Sequence, residues 1–174
     1  GHLFEKQSPA WILPLRDRLR HRFQRATLRL AQLFEANGEP QKAEALYQQE
    51  LDILQHTVAP EHPDIARVLH DLATLSTTQG DYARAESWYR QALAMRQQAL
   101  GPEHPEVVTT LTHLGALFRA QQKYPAAEEC YRQALAIRER SLGPDHPGTA
   151  QVLNDLGVIL FAERELQSAQ TAWE

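Results

Sequence analysis

The sequence predicts an all-α fold built from stacked helix pairs, and three observations carry that prediction. His-Pro recurs at His62-Pro63, His104-Pro105 and His146-Pro147, always 42 residues apart. Each period divides into two stretches whose apolar residues fall at helical spacing, such as Leu69, Leu72 and Leu75. No stretch shows the apolar–polar alternation, β-branched enrichment and turn flanks of a strand. A fixed period of about 20 to 50 residues marks an array in which each unit buries its apolar face against its neighbours.

The first helix of each period opens at His-Pro. Proline at the first helical position forfeits only an N–H that has no partner there, and Asp64 or Glu106 beside it suits the positive end of the helix dipole. Gly38 and Gly80 supply the left-handed stop, and Asp81, or Pro40 and Pro125 in the first turn, opens the second helix. Leu-Gly-Pro at 100–102 and 142–144 ends it. Helices are expected near 23–36, 40–56, 63–79, 82–99, 105–121, 124–141, 147–162 and 166–174. Residues 1–21 read as a basic N-terminal segment or cap, with Gly1-His2 a cloning remnant. The array fills 22–174, with repeats near 24–65, 66–107, 108–149 and a truncated 150–174.

Columns of equivalent residues explain how the helices pack. Leu30, Leu72, Leu114 and Leu156 precede small Ala31, Ala73, Gly115 and Gly157; Ala43, Ala85, Ala127 and Ala169 form a second small column. Tyr47, Tyr89 and Tyr131 continue to Trp173, and the six residues from Tyr89 to Ala94 recur unchanged from Tyr131 to Ala136. Small residues let two helices approach while the aromatic fills the adjoining gap. Stacking of such pairs winds the array into a superhelix with a concave side.

Composition narrows the function classes. The chain is 43% apolar and 23% charged, ordinary for a folded protein, and its longest apolar run, Leu156–Ala162, is far below the roughly 18 residues of a membrane span. Membrane insertion is not expected. Cys130 is the only cysteine, so no intrachain disulfide can form, which fits a reducing, cytoplasmic setting. The net charge is −4, yet residues 1–36 carry a local excess of +4 and the remainder −8. That overall acidity argues against nucleic acid as a partner. Arg16, Arg18, Arg20, His21, Arg22, Arg25 and Arg29 read as a solvated segment or a junction whose arginines do not gather on one helix face. Trp11, Ile12 and Leu13 read as an apolar plug on the end of the array, and Trp173-Glu174 as an open edge suited to homo-oligomer formation.

The columns resemble the tetratricopeptide repeat: Leu114-Gly115, Phe118, Ala127 and Tyr131 match its signature in order. The 42-residue length and the phrase from Ala134 to Pro147 are similar to the kinesin-light-chain type of repeat, over roughly residues 24–174. Where kinesin light chains carry Asn-Asn before the Leu-Ala pair, this chain has His70-Asp71, Thr112-His113 and Asn154-Asp155. The resemblance implies a right-handed α-α superhelix, the tetratricopeptide solenoid, of about four helix-turn-helix repeats.

Candidate chemistry is sparse. The three His-Pro histidines cannot share a metal, since equivalent positions in stacked repeats lie at least a helix spacing of about 8–10 Å apart, whereas a Zn–N bond is about 2 Å. They read as helix starts, and no metal or cofactor is expected. His113 with His70 and Asp71 offers acid–base groups but no converging nucleophile, and Cys130 reads as packing. No phosphate loop, Cys-x-x-Cys pair or nucleophile elbow is present, so no catalytic residue and no enzyme activity are expected.

Register instead assigns a partner-binding face to the first helices: Arg25 and Gln32, then Arg67, His70 and Thr74, then Thr109, Thr112 and Arg119, then Gln151 and Asn154. Arginines among hydrogen-bonding side chains suit an acidic peptide or protein segment. The expected function is therefore a protein–protein interaction scaffold binding a peptide in a concave groove. Its rival is an assembly or sensor module of a larger signalling protein, for example one with a nucleotide-hydrolysing domain, acting by self-association or domain packing.

Overall fold

The computed structural model describes the backbone of residues 12–173 and the side chains of residues 18–166. Seven helices make up the described residues, without a strand: α1 (Ile12–Ala36), α2 (Pro40–Thr57), α3 (Pro63–Thr78), α4 (Tyr82–Leu100), α5 (Pro105–Ala120), α6 (Tyr124–Leu142) and α7 (Pro147–Trp173). The all-α expectation holds, and six of the seven helices end within a residue of where the repeat places their C-termini. The chain divides into two compact units, residues 1–50 and 51–174.

In the first unit, α1 and α2 turn at Gly38, whose positive φ lets Glu39 N–H donate to the Phe34 carbonyl at 2.8 Å. Ala31, Ala43 and Tyr47 are buried, and Tyr47 Oη donates to Glu35. Two expectations fail here. α1 begins at Ile12 and not near residue 23, because Pro14 is tolerated in a first turn and the arginine-rich run that follows consists of good helix formers. Within that helix Arg18, Arg22, Arg25 and Arg29, spaced four, three and four apart, do gather on one exposed face. Leu30 is 44% exposed, unlike Leu72, Leu114 and Leu156, since no helix among the described residues precedes α1 to cover it. Trp11 lies outside the described residues, as do the side chains of Ile12, Leu13, Arg16, Ala169 and Trp173.

In the second unit each helix packs on the next, α3 on α4, α4 on α5, α5 on α6 and α6 on α7, with a lighter contact between first helices α3 and α5. Ala73, Ala85, Tyr89, Leu114, Ala127, Tyr131 and Leu156 share one core. The close approach is measurable at Gly115: a β-carbon there would stand 2.9 Å from the Tyr131 ring. Glycine is what admits the aromatic.

The turn column 38, 80, 122, 164 shows how sequence controls the hairpins. Gly80 repeats the left-handed geometry of Gly38, with Asp81 N–H on the Ser76 carbonyl at 2.9 Å and Asp81 then accepting from Arg84 N–H. Gln122 takes the same conformation at φ 59 without being glycine. At Arg164 the turn is absent. The expected break between 162 and 166 does not occur, and α7 runs unbroken from Pro147 to Trp173. Ala162-Glu-Arg-Glu-Leu-Gln167 holds strong helix formers and neither glycine, proline nor a short polar cap, so nothing there favours leaving the helix.

Candidate functional site

The periodic histidines are helix caps. Nδ1 of His62, His104 and His146 accepts from the backbone N–H two residues on, at Asp64 (3.1 Å), Glu106 (3.2 Å) and Gly148 (3.0 Å). A ring nitrogen thus does the work usually given to a serine or aspartate oxygen, and each of these imidazoles carries no proton on Nδ1.

The conspicuous polar site lies where α3, α4 and α5 meet. Arg96, only 4% exposed, reaches across from α4 to α5, where its Nη1 donates to Thr110 Oγ1 at 2.6 Å and to the Glu106 carbonyl at 3.1 Å. Its Nε stands 3.2 Å from the Glu106 carboxylate, and Nη1 is 3.3 Å from His70 Nδ1 on α3. A guanidinium has no acceptor, so His70 must accept and is held as the neutral Nε2–H tautomer. Burial, with help from the charge of Arg96 and from His113, lowers the His70 pKa to about 3.

The network continues through rings. His70 and His113 have centroids 4.7 Å apart, and both meet Tyr89 edge-on. Tyr89 Oη lies 3.3 Å from His113 Nδ1 and 3.0 Å from Thr74 Oγ1. Burial lowers the His113 pKa, reinforced by Arg96, and burial raises that of Tyr89. Three helices are therefore tied together by groups that stay neutral around one buried guanidinium, itself shifted down by burial against the opposing pull of Glu106 and Asp71. Acid–base groups are gathered here, packed into the helix junction. Among the described residues no three metal-ligating side chains converge. Cys130 is buried, and desolvation raises its thiol pKa to about 11.

The partner-face residues divide by role. Thr109, Arg119, Gln151 and Asn154 are exposed on α5 and α7, and Thr112 is half-buried. Arg67 is tied to Asp71 at 2.9 Å one turn away on α3. His70 is 8% exposed and belongs to the network behind the face, as does Thr74 through Tyr89. Thr109 and Thr112 donate to carbonyls of their own helix, leaving their oxygens as acceptors, while Gln151 donates to Asp155. Arg25 and Gln32 are exposed on α1 in the other unit. Arg119 and Asp155 flank Tyr131 electrostatically with opposite effects on a phenol whose pKa burial drives to about 12.

The register reading missed two features. Val158 and Phe161, the latter 67% exposed, stand in the columns of Thr74 and Thr77 and extend the first-helix face with apolar surface. Arg96 and Thr110 were visible as polar residues in columns that hold Leu54 and Val68 one period earlier; one period later Arg138 recurs with Val152, so the threonine is what sets this contact apart.

The family model described as tetratricopeptide repeat matches residues 23–98, 77–140 and 106–172. The crystal structure of BtubC (BKLC) from P. vanneervenii is similar, with a TM-score of 0.72 and 26% identity over 89% of this chain and 66% of that one. The nearly identical TPR-like repeats of a kinesin light chain candidate from Podosopora anserina match at the same TM-score, with 27% identity over 83% of this chain and 69% of theirs. The chain thus spans about two thirds of these structures. No curated protein sequence matches it. No helix among the described residues is long and apolar enough to cross a membrane.

Proposed function

The chain belongs to the tetratricopeptide repeat family and to its kinesin-light-chain-like subtype, and from that premise we propose that it is a non-catalytic, cytoplasmic scaffold that binds an acidic peptide segment along the first-helix face. Interaction with other proteins is what repeats of this family support in general. The finer reading rests on one observation: exposed Arg119 shares α5 with Thr112, and the same two columns one period on hold exposed Asn154 and exposed Phe161 on α7.

Arg119 offers a planar fork to a carboxylate. Thr109, Thr112 and Asn154 meet main-chain amides of an extended ligand, and Val158 with Phe161 receives an apolar side chain. Arg67, partly neutralised by Asp71, is a second and weaker carboxylate contact. His70 and Thr74 act from behind, by fixing α3 against α5. On α1, Arg25 and Gln32 offer the same chemistry.

The test is isothermal titration of a partner recovered by pull-down, against wild type, Arg67→Glu, Arg119→Glu and the double variant at matched helicity. Arg119→Glu is expected to weaken binding more than Arg67→Glu, and the double variant to abolish it. Added salt should weaken wild-type binding, as for a charge-assisted contact. Unchanged affinity in the double variant would move the binding surface elsewhere, with the basic stripe of α1 the next place to look.

A further inference from the structure

Three columns of the repeat are buried in the second and third periods and uncovered in the fourth. Leu69, Ala73 and Ser76 on α3 are buried, as are Leu111, Gly115 and Phe118 on α5. Their equivalents on α7 are open: Leu153 is 49% exposed, Leu160 is 40% exposed, and no atom lies within 4 Å of where a β-carbon on Gly157 would stand. The other side of α7, with Val152, Leu156 and Ile159, is buried in the core it shares with α6. An apolar stripe with a glycine notch at its centre is thus left without a partner among the described residues.

The sequence carries the complementary piece. Tyr131 fills the notch at Gly115, 16 residues before it, and Trp173 stands 16 residues after Gly157 in the same column, with Ala169 in the column of Ala127. The piece is not folded back, because α7 continues straight through Arg164, where earlier periods turn. At about 1.5 Å rise per residue, position 173 then lies roughly 24 Å along the axis from Gly157. It cannot reach its own notch.

We propose that α7 pairs with α7 of a second copy, antiparallel, so that the 166–173 segment of each chain lies against residues 157–164 of the other and covers the Gly157–Leu160 part of the stripe. In a hairpin of the third period, position 115 meets 131 about a turn centred on Lys123; the corresponding centre in the fourth is Glu165. A twofold axis beside Glu165 brings Gly157 opposite Trp173 of the second copy and, by symmetry, Trp173 opposite Gly157 of the second copy. This is exchange of an identical element between protomers, a closed isologous contact that reuses an interface already encoded within the repeat. A second copy is the fitting occupant because the notch spacing and its filler are both written in this chain. The inference rests on α7 alone and stands whether or not the first-helix face binds a peptide.

The test uses the 174-residue chain in sedimentation equilibrium over a concentration series. Wild type is expected to reach twice the monomer mass. Gly157→Leu, which fills the notch on an exposed face, and Trp173→Ala should each weaken dimerisation at least about tenfold in Kd. Arg164→Gly/Glu165→Asp, which installs the Gly80-Asp81 turn, should yield a monomer by letting the segment fold back in its own chain. Gly157→Cys/Trp173→Cys, made with Cys130→Ser, should give disulfide-linked dimers on oxidation. A monomer at every concentration overturns the proposal. So does a dimer indifferent to Gly157→Leu and to the turn variant, or a cysteine pair that closes within one chain.

Discussion

Arg96 on α4 donates to Thr110 on α5 at 2.6 Å, at positions held by Leu54 and Val68 one period earlier. Removing only the arginine, as Arg96→Leu, leaves Thr110 Oγ1 and His70 Nδ1 without their buried donor, while the Glu106 carbonyl keeps the Thr110 hydroxyl, and a cost of about 1–3 kcal/mol is expected. Arg96→Leu/Thr110→Val restores the apolar pair of the preceding period and should recover part of that loss. Chemical denaturation of the two single variants and the double measures the coupling; strictly additive effects would mean that the two residues do not act as a pair.

Acid should weaken the fold through His70 and His113. Their folded pKa values are lowered, that of His70 to about 3 from an ordinary 6.5, so the unfolded chain takes up protons first as pH falls. Stability is then fully present above about pH 6.5 and is lost as pH drops from there toward 3, with a limiting slope of about 1.4 kcal/mol per pH unit for each histidine. His70→Gln keeps an acceptor for Arg96 and removes the titration. Its stability should fall less steeply between pH 6.5 and 4, read by urea denaturation at each pH.

Gly115 and Gly157 occupy one column in opposite surroundings. Gly115→Ala drives a methyl into the Tyr131 ring and should cost about 1–3 kcal/mol. Gly157→Ala meets open space, and in dilute, monomeric protein it should stabilise α7 by up to about 1 kcal/mol through helix propensity. Melting temperatures that move together would mean that the notch at Gly115 is not filled.

Gln122 bears the left-handed turn that glycine serves in the first two periods. Gln122→Gly is expected to stabilise the protein by roughly 0.5–1 kcal/mol, the relief of the β-carbon clash outweighing the extra freedom of the unfolded chain. Equilibrium denaturation decides it, and a loss of stability would contradict the strain.

At the start of α5, His104→Ala removes the ring nitrogen that caps the helix, and a loss of about 0.5–2 kcal/mol is expected. His104→Asn supplies another short acceptor and should keep most of the stability. Equal losses would show that the cap bond contributes little.

What the sequence made legible was whatever repeats. Helix order, the Ala85 and Ala127 contacts and the Tyr89 and Tyr131 fillers follow from columns, because equivalent residues meet equivalent neighbours. Legibility failed where a period lacks a neighbour or a signal. Leu30 matches its column and is exposed because nothing precedes α1 among the described residues; Arg164 matches a turn position and stays helical because its flanks carry no breaker. The face residues were placed by register, and His70 shows the limit of that method: a non-core spacing is still buried when an arginine from the next helix is laid over it.

The Arg96–Thr110 contact also constrains how such a chain can grow. Tandem duplication of residues 66–107 would set Arg96 of the first copy against Val68 of the second, so that the guanidinium keeps Glu106 and His70 but loses the Thr110 hydroxyl, the column pairing in which Arg138 and Val152 already stand one period on. Duplication of the block from α4 through α5 would carry both partners and reproduce the seam. The heritable module of this array, at that seam, is a second helix together with the first helix that follows it, one element out of step with the His-Pro period by which the repeats are recognised.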